Sequence, residues 1–254
     1  MRTGWRQLAI LVFTIWLAAC STASQVSASL GDGVTGECND PPDPSRPQYV
    51  VGYGSLMQDE SRKRTSPSAD PSHPVEVSGY RRGWFARAQG AGFGATYLGV
   101  LPDRESHINA VIYRVDTTEL AATDRRERLY CRTGVAIPDI KPFERGFSPE
   151  PGGQAWIYVS RPQSAAAPDS RYPIVQSYVD IFVSGCMEQE QRFGLTGFSQ
   201  QCLATTADWS EHWVNDRIYP RRPFVFQPRA RQIDDLLFQQ LPRYFSRIRI
   251  EAGG

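Results

Sequence analysis

The distribution of apolar and polar residues predicts short strands early in the chain and helices later. Residues 109–115 alternate in the sequence NAVIYRV, with the two-residue period of a half-buried strand. Residues 75–88 carry apolar positions at strand spacing, and we expect this strand to bend at Gly79 and Gly83. Further strands are predicted over residues 49–51, 95–101, 134–137 and 155–159. The polar, proline-bearing residues 61–74 predict a surface excursion.

Helical signals dominate the later part of the chain. Asp116 can cap a helix, with Glu119 as its capping-box partner, and we expect this helix to cover residues 117–130. An apolar stripe after Pro173 predicts a helix over residues 172–185. Two more helices are predicted over residues 208–214 and 229–241. This order indicates an α+β fold whose sheet curls into a small, mixed, partly closed β-barrel with flanking helices.

The chain begins like an exported protein. Arg2 and Arg6 precede an apolar run over residues 8–19, which has the length of a signal peptide and is short for a membrane span. The run ends in Leu-Ala-Ala-Cys, which resembles a bacterial lipobox in which Cys20 is lipidated and becomes the first mature residue. The alternative is an ordinary secretory signal with a chance cysteine.

These signals divide the chain into four segments. We expect a signal peptide over residues 1–19 and a flexible tether behind the lipidated cysteine over residues 20–47, which are rich in Ser, Gly, Pro and Asp. The main domain is predicted over residues 48–225, and a C-terminal helix and tail that pack on it over residues 226–254. The protein is therefore expected on the periplasmic side of a bacterial membrane, anchored by lipid, and Ser21 favours the outer membrane. The oligomeric state is left open.

Charge argues against nucleic acid as a partner. The chain has 28 Lys and Arg against 27 Asp and Glu, which gives a formal net charge of +1. No block of basic residues stands out, whereas nucleic-acid-binding domains carry a clustered basic surface.

Four cysteines follow Cys20, and an even number in an oxidising compartment predicts two disulfides. Three pairings are possible, and buried free thiols are the alternative. Cys186 with Cys202 is our first choice because the loop between them is short, which leaves Cys38 to clamp the start of the domain to Cys131. With no C-x-x-C pair and three histidines in the chain, no metal site is expected.

The segment YVVGYGSLM, residues 49–57, carries the first functional signal. Glycines on both sides of Tyr53 allow a sharp turn after a strand, with N–H groups that face a carboxylate, a phosphate or an oxyanion. A tight structural turn explains the bare motif equally well. The motif lacks the Gly-Lys-Ser/Thr of a P-loop, and Leu56 excludes the G-x-S-x-G elbow of hydrolases. Nothing in the sequence places a histidine beside Ser55 to activate it as a nucleophile.

A candidate base lies on the helix that Asp116 caps. At about 100° per residue, Leu120, Asp124 and Glu127 fall in one stripe. If Leu120 is buried, Glu127 points inward, where its pKa rises and it can act as a base near neutral pH. The alternative, which periodicity alone favours, is a surface helix in which Glu127 pairs with a nearby arginine.

Together the two motifs resemble the gamma-glutamylcyclotransferase-like family. The first motif consists of Tyr53, Gly54, Ser55 and Leu56. The second consists of Asp124, Glu127, Tyr130 and Arg132. The similarity continues through Tyr178 and Gly185 and covers most of residues 49–223.

The resemblance implies a small mixed β-barrel and a reaction without a cofactor, the intramolecular aminolysis of a γ-glutamyl amide to 5-oxoproline and an amine or peptide. It implies that Glu127 is the general acid and base, and that residues 53–56 bind the substrate carboxylate and the oxyanion. Tyr130 and Tyr178 could bind substrate through their hydroxyls or be packed tyrosines. Arg132 could hold a second substrate carboxylate or neutralise Asp124.

Two other classes of protein stay open. A non-catalytic periplasmic binding lipoprotein would use the glycine turn to hold an anionic ligand, and a structural envelope lipoprotein would have no pocket. An inward, unpaired Glu127 beside an open pocket favours the enzyme, whereas pairing with Arg128 or a filled pocket favours the binding protein. Glutathione and γ-linked cell-wall fragments with a freed amine are both candidate small-molecule γ-glutamyl substrates.

Overall fold

One buried strand near the start of the domain organises the sheet. The computed structural model describes residues 38–90, 92–222 and 229–250, and its first strand, β1 (Gln48–Gly52), is buried along its whole length. The backbone groups of a buried strand need partners on both edges. β1 pairs antiparallel with β3 (Gly94–Val115) and parallel with β6 (Gln154–Ser160). The glycine turn therefore leaves the middle of a sheet.

The other elements complete an α+β fold. The remaining strands are β2 (His73–Gln89), β4 (Tyr130–Val135), β5 (Ile140–Pro142), β7 (Ile174–Val175), β8 (Thr206–Ala207), β9 (Trp213–Asn215) and β10 (Arg249–Ile250). The helices are α1 (Asp59–Lys63), α2 (Thr117–Arg126), α3 (Gln176–Phe193), α4 (Phe198–Ala204), α5 (Ala230–Gln240) and α6 (Pro242–Phe245). Single 3₁₀ turns lie at Ser55–Met57, Ile137–Asp139 and Pro162–Ser164.

The sheet stays largely open. Its strands follow the order β10-β9-β7-β3-β1-β6-β4, and β2 pairs with β3, β5 and β8. No pairing in the described residues joins β4 to the β2 side, so the barrel is only partial. The register of β2 against β3 shifts between Ser78 and Tyr80, at the predicted bend Gly79, while Gly83 pairs regularly with Gly99. The predicted α+β class is confirmed.

Helix α3 brings one wall of the future site against the turn after β1. Val179, Phe182 and Val183 are fully buried and belong to the apolar core that the sheet also lines. At Gly185 a Cβ atom would come within 2.5 Å of the Gln58 backbone nitrogen, so this close approach requires glycine.

Several predicted boundaries are wrong. Helix α2 ends at Arg126 rather than at residue 130, because Tyr130 pairs with Ser160 as the first residue of β4. Extended structure therefore resumes at residue 130, before the predicted start at Gly134. Helix α3 begins at residue 176 and runs on to residue 193, where Gly194 in the left-handed conformation ends it.

The helix predicted over residues 208–214 is absent. Asp208 has a positive φ of 61°, and Trp213–Asn215 forms β9 between β7 and β10. The surface excursion predicted over residues 61–74 is also partly wrong, because Ser61, Ser66 and Ser72 are fully buried. The sequence pattern did not predict helix α4.

Both ends of the described chain are fastened to the domain. Residues 1–19 and Cys20, with the predicted signal peptide and lipidation site, lie outside the described residues. Further along the predicted tether, the Arg132 backbone N–H donates to Asn39 Oδ1 at 3.0 Å. Near the other end, α5 buries Ile233 and Leu237 in the core.

In the part of the chain that the structure describes, no helix combines the length and apolarity of a membrane span.

Both predicted disulfides are confirmed. Cys38 bonds to Cys131 across 93 positions, and Cys186 bonds to Cys202 across 16. The first disulfide joins the N-terminal segment to β4, and the second joins α3 to α4.

We expect the longer disulfide loop to contribute more to stability. Closing a longer loop removes more entropy from the unfolded chain, so replacing Cys38 and Cys131 with serine should lower the free energy of unfolding by about 4–5 kcal/mol. The same change at Cys186 and Cys202 should lower it by about 3 kcal/mol. Denaturant titration of the oxidised proteins measures both values. Unchanged stability in both double variants would show that the thiols are unpaired in solution.

Candidate functional site

A small cleft opens where the turn after β1 meets α2 and α3. Its lining consists of Tyr53, Gly54, Ser55, Leu56, Leu98, Glu127, Tyr130, Tyr158 and Tyr178. The fold thus brings both sequence motifs together, with Tyr178 from α3 opposite them. The cleft volume is about 20 Å³, which is the space of about one water molecule.

The glycine turn is shaped by its contact with Tyr178. After Gly54 the backbone enters the 3₁₀ turn Ser55–Met57, and Met57 N–H donates to the Gly54 carbonyl at 3.0 Å. A Cβ atom on Gly54 would lie 2.7 Å from the Tyr178 hydroxyl oxygen, so glycine is needed here. The Ser55 backbone N–H acts on that same hydroxyl and opposes the rise in the pKa of Tyr178. The turn and Tyr178 are therefore in close contact.

A buried arginine that the sequence analysis did not single out holds the turn from behind. Arg82 is fully buried, and its Nη1 donates to the Tyr53 carbonyl at 3.0 Å and to the Asn109 carbonyl at 2.8 Å. Its other donors reach the Asn109 amide oxygen, the Cys202 carbonyl and the hydroxyls of Thr205 and Thr206. Burial lowers the pKa of Arg82. Within the described chain its acceptors are all neutral, and its guanidinium carbon also lies 4.8 Å from the Phe182 ring centroid.

The tyrosines of the cleft stay protonated near neutral pH. Tyr53 donates to the Tyr158 carbonyl at 2.5 Å, and Tyr130 donates to the Leu98 carbonyl at 2.9 Å. Burial raises the pKa of Tyr178 to about 12 and raises the pKa of Tyr53, Tyr130 and Tyr158 as well. These phenols can donate hydrogen bonds but do not exchange protons in this pH range.

Glu127 differs from the phenols because its ionisation falls closer to neutrality. Leu120 is buried as the helix pattern required, and the Glu127 side chain is only 15% exposed. Burial raises the pKa of Glu127, and the charges of Arg126 and Arg222 oppose that rise. Among the residues that line the cleft, Glu127 is the carboxyl group, and its raised pKa makes it the candidate for proton exchange.

Arg126 ties Glu127 to the glycine turn. Its Nε lies 3.2 Å from Glu127 Oε1, and one Nη2 hydrogen bond reaches Ser55 Oγ at 3.0 Å. The remaining donors reach the Ser61 carbonyl, the Ser61 hydroxyl and Thr65 Oγ1. Four of the five N–H bonds of this guanidinium donate hydrogen bonds, and the fifth, at Nε, belongs to the ion pair with Glu127. Helix periodicity alone did not predict a role for Arg126.

Arg132 does not line the cleft. Its guanidinium carbon lies 4.7 Å from the Trp156 ring centroid, and its Nη1 lies 3.2 Å from Asp124 Oδ2. Asp124 also accepts a hydrogen bond from the Tyr158 hydroxyl at 2.8 Å. Of the two alternatives for Arg132, neutralisation of Asp124 is therefore the arrangement present.

The arrangement does not support a serine nucleophile or a metal centre. Ser55 Oγ accepts a hydrogen bond from Arg126, and none of His73, His107 and His212 lines the cleft. In the described ranges no three His, Cys, Asp or Glu side chains are grouped to hold a metal ion. The chemistry available is proton exchange at Glu127 beside neutral hydrogen-bond donors.

The orientation of Glu127 favours an enzyme, whereas its pairing and the size of the cleft do not. Glu127 points inward, as an enzyme requires. Its ion-pair partner is Arg126 rather than Arg128, and the cleft is small.

We expect Gly54→Ala to destabilise the fold through Tyr178. The added methyl group would meet the tyrosine hydroxyl, and overpacking of this kind lowers the free energy of unfolding by about 1–3 kcal/mol. Tyr178→Phe removes the oxygen atom, so the double variant should recover much of the loss. A double-mutant cycle in denaturant measures the coupling, with Tyr178→Phe alone as its control. Additive effects would refute the predicted contact.

Comparison with known proteins supports the sequence resemblance. The family model described as gamma-glutamyl cyclotransferase, AIG2-like, matches residues 50–177. This match contains the glycine turn and Glu127 and ends one residue before Tyr178. No curated protein gave a significant match.

Solved structures give weaker likenesses. An uncharacterized protein from Homo sapiens has 15% identity and a TM-score of 0.46, with 65% of this chain and 92% of that chain covered. A gamma-glutamyl cyclotransferase has 14% identity and a TM-score of 0.44, with 63% and 88% covered. A gamma-glutamyl cyclotransferase specific to glutathione, from yeast, has 11% identity and a TM-score of 0.36, with 63% and 97% covered. The assignment rests on the family model, and the chain belongs to the gamma-glutamyl cyclotransferase, AIG2-like family.

Proposed function

We propose that this protein converts a γ-glutamyl amine or peptide to 5-oxoproline and a free amine. The observation that carries the proposal is the position of Glu127, a half-buried carboxylate with a raised pKa that shares one cleft with the glycine turn. A carboxylate in this state can accept and return a proton near neutral pH. The family match to residues 50–177 supports the same class of reaction.

In the proposed step the α-amine of the glutamyl group attacks its own γ-carbonyl. A carbon–nitrogen bond forms to close the five-membered lactam, and the carbon–nitrogen bond to the leaving amine breaks. Glu127 takes the proton that the attacking amine loses and returns it to the leaving amine, so no other reactant is consumed. General acid and base catalysis of this type contributes about 10²–10⁴-fold.

The glycine turn would stabilise the oxyanion that forms on the γ-carbonyl. The Ser55 N–H acts on the Tyr178 hydroxyl by opposing the rise in its pKa, and Arg82 donates a hydrogen bond to the preceding Tyr53 carbonyl. A prearranged donor of this type contributes about 10²–10³-fold. Tyr178, held protonated by a pKa of about 12, could supply a second hydrogen bond.

Substrate entry requires the cleft to widen. A volume of about 20 Å³ does not hold a glutamyl group. We infer that the substrate displaces the Tyr178 hydroxyl from Ser55 N–H. The Tyr178 ring packs against Tyr97 and Trp84, with centroid distances of 4.9 Å and 5.8 Å, so this movement would carry an aromatic cluster with it.

We expect the domain, without residues 1–20, to form 5-oxoproline from at least one member of a panel of glutathione and γ-glutamyl amides and dipeptides. Glu127→Gln should lower kcat/KM by about 10²–10⁴-fold, because the amide cannot exchange the proton. The wild-type rate should fall as pH drops through the Glu127 pKa, which lies above the usual 4.5, because only the ionised carboxylate is a base. Chromatographic assay of 5-oxoproline across pH measures both effects.

Thermal unfolding provides the control for Glu127→Gln. A raised pKa means that ionised Glu127 destabilises the fold at pH values above that pKa, so the glutamine variant should unfold at a temperature no lower than wild type at pH 7. This difference should vanish below the usual carboxyl pKa of 4.5. A folded Glu127→Gln protein with wild-type activity would remove Glu127 from the mechanism.

The small cleft and the Glu127–Arg126 ion pair favour one alternative, a non-catalytic binding lipoprotein that holds an anionic ligand on the glycine turn. The same panel separates the two functions. Binding detected by calorimetry without any 5-oxoproline would establish the binding protein, whereas product formation would exclude it.

We further propose that the domain works outside the cytoplasm, on the periplasmic side of a membrane and attached through lipidated Cys20. The apolar run that ends at Cys20 supports export. Two disulfides fit an oxidising compartment.

Cys20→Ser in the full chain tests the anchor. We expect the wild-type protein to incorporate a labelled fatty acid in a bacterial host and to fractionate with membranes, because Cys20 is the attachment site. The serine variant should incorporate none and leave the membrane fraction. Labelling of both proteins, or of neither, would contradict lipidation at this residue.

A further inference from the structure

Two arginine charges act on Glu127, and only one of them has hydrogen-bonding capacity to spare. Arg126 donates four hydrogen bonds within the protein, and its remaining N–H, at Nε, lies in the ion pair with Glu127. Arg222 differs, because its Nε is buried and has no hydrogen-bond partner in the described residues. A buried donor without a partner is rare in proteins and calls for an explanation such as a ligand.

The backbone of Arg222 is held firmly beside the cleft. Asp216 accepts hydrogen bonds from Ser177 N–H at 2.7 Å and from Arg221 N–H at 2.8 Å. Arg222 N–H then donates to Ser177 Oγ at 3.2 Å. Ser177 immediately precedes Tyr178, so these bonds fix Arg222 next to a residue that lines the cleft.

The side chain of Arg222 lies beside Tyr97, which packs on the cleft residue Tyr178. Its guanidinium carbon lies 5.7 Å from the Tyr97 ring centroid, and the Tyr97 ring lies 4.9 Å from that of Tyr178. Its charge opposes the rise in pKa of both Glu127 and Tyr178. A positive group whose Nε has no partner among the described residues thus acts on the proposed acid and base.

We propose that Arg222 binds a carboxylate of the substrate. A guanidinium presents parallel N–H bonds that match a carboxylate, and its charge strengthens both hydrogen bonds. The substrates would then be γ-glutamyl compounds with a free carboxylate near the scissile amide. This inference rests on the proposed function and narrows its substrate class.

The carboxylate has two possible sources, the α-carboxylate of the glutamyl group and the carboxylate of the leaving amino acid. Four substrates separate them. The compound γ-glutamyl-glycine has both groups, γ-glutamyl-glycinamide has only the first, 4-aminobutanoyl-glycine has only the second, and 4-aminobutanoyl-glycinamide has neither. All four can close a five-membered lactam ring, which is 5-oxoproline for the two γ-glutamyl compounds and 2-pyrrolidone for the two 4-aminobutanoyl compounds.

We expect Arg222→Gln to lower kcat/KM by about 10- to 100-fold on the substrates that carry the bound carboxylate, because a charge-assisted hydrogen bond is lost. Substrates without that group should react equally with wild type and variant. Arg222→Lys keeps the positive charge but loses the two parallel N–H bonds of the guanidinium, so it should recover part of the rate. The acidic limb of the pH–rate profile should move to higher pH in Arg222→Gln and not in Arg222→Lys.

Arg221→Gln is the matched control. Arg221 lies in the same segment, and its Nη1 donates to the Gly94 carbonyl at 2.9 Å. Its replacement removes the same charge and should leave the ratios among the four substrates unchanged. Equal losses on all four substrates in Arg222→Gln would overturn the proposal while the lactam-forming activity stands.

The proposal can also be judged if the wild-type protein turns over none of the four compounds. That result would refute the proposed function by itself. Calorimetric titration of γ-glutamyl-glycine into wild type and Arg222→Gln then tests whether Arg222 binds the carboxylate. Weaker binding in the variant supports carboxylate recognition, whereas equal binding or no binding overturns it.

Discussion

The cleft depends on one buried charge. Arg82 has no access to solvent and no carboxylate partner among the described residues, so the fold must supply acceptors for its donors. Those acceptors come from the turn after β1, from Asn109 on β3 and from the end of α4. Because a buried cation that loses acceptors is costly, these three parts are held in one arrangement.

The second wall of the cleft is linked to the same group. The Cys186–Cys202 disulfide joins α4 to α3, and α3 carries Tyr178. Gly185 lets α3 approach the residues just after the turn. The Ser55 backbone and the Tyr178 hydroxyl are thus positioned by one connected set of buried contacts.

Inside the cleft, burial raises the pKa of every ionisable side chain, but the consequence differs between Glu127 and the tyrosines. The same loss of water raises the pKa of the phenols out of the physiological range and raises the pKa of Glu127 towards it. Arg126 donates hydrogen bonds to the protein, including one to Ser55, and pairs with Glu127. The Nε of Arg222 has no hydrogen-bond partner among the described residues. Two arginines near one carboxylate can therefore have different tasks.

Local patterns in the sequence identified the parts of this site that depend on neighbouring residues. The strand before the glycine turn and the Asp116 cap were predicted because strand period and capping are local properties. Loop length gave the Cys186–Cys202 pair, and the Cys38–Cys131 pair followed by elimination. Asp116 accepts from Glu119 N–H as expected, but the Glu119 side chain accepts from Ser68 N–H instead of closing a capping box. The end of α2 and the absence of a helix near residue 208 were missed because strand pairing overrides helical preference at both places.

The sequence by itself determined the class of fold, the two motifs and the candidate acid and base. Only the tertiary structure decided which charged groups surround Glu127, that Arg132 pairs with Asp124, and that Arg82 supports the turn. Arg82, Arg126 and Arg222 lie far apart in the chain and carry no motif. Their roles depend on which acceptors the folded chain leaves within reach of each guanidinium, and that is a property of packing rather than of local sequence.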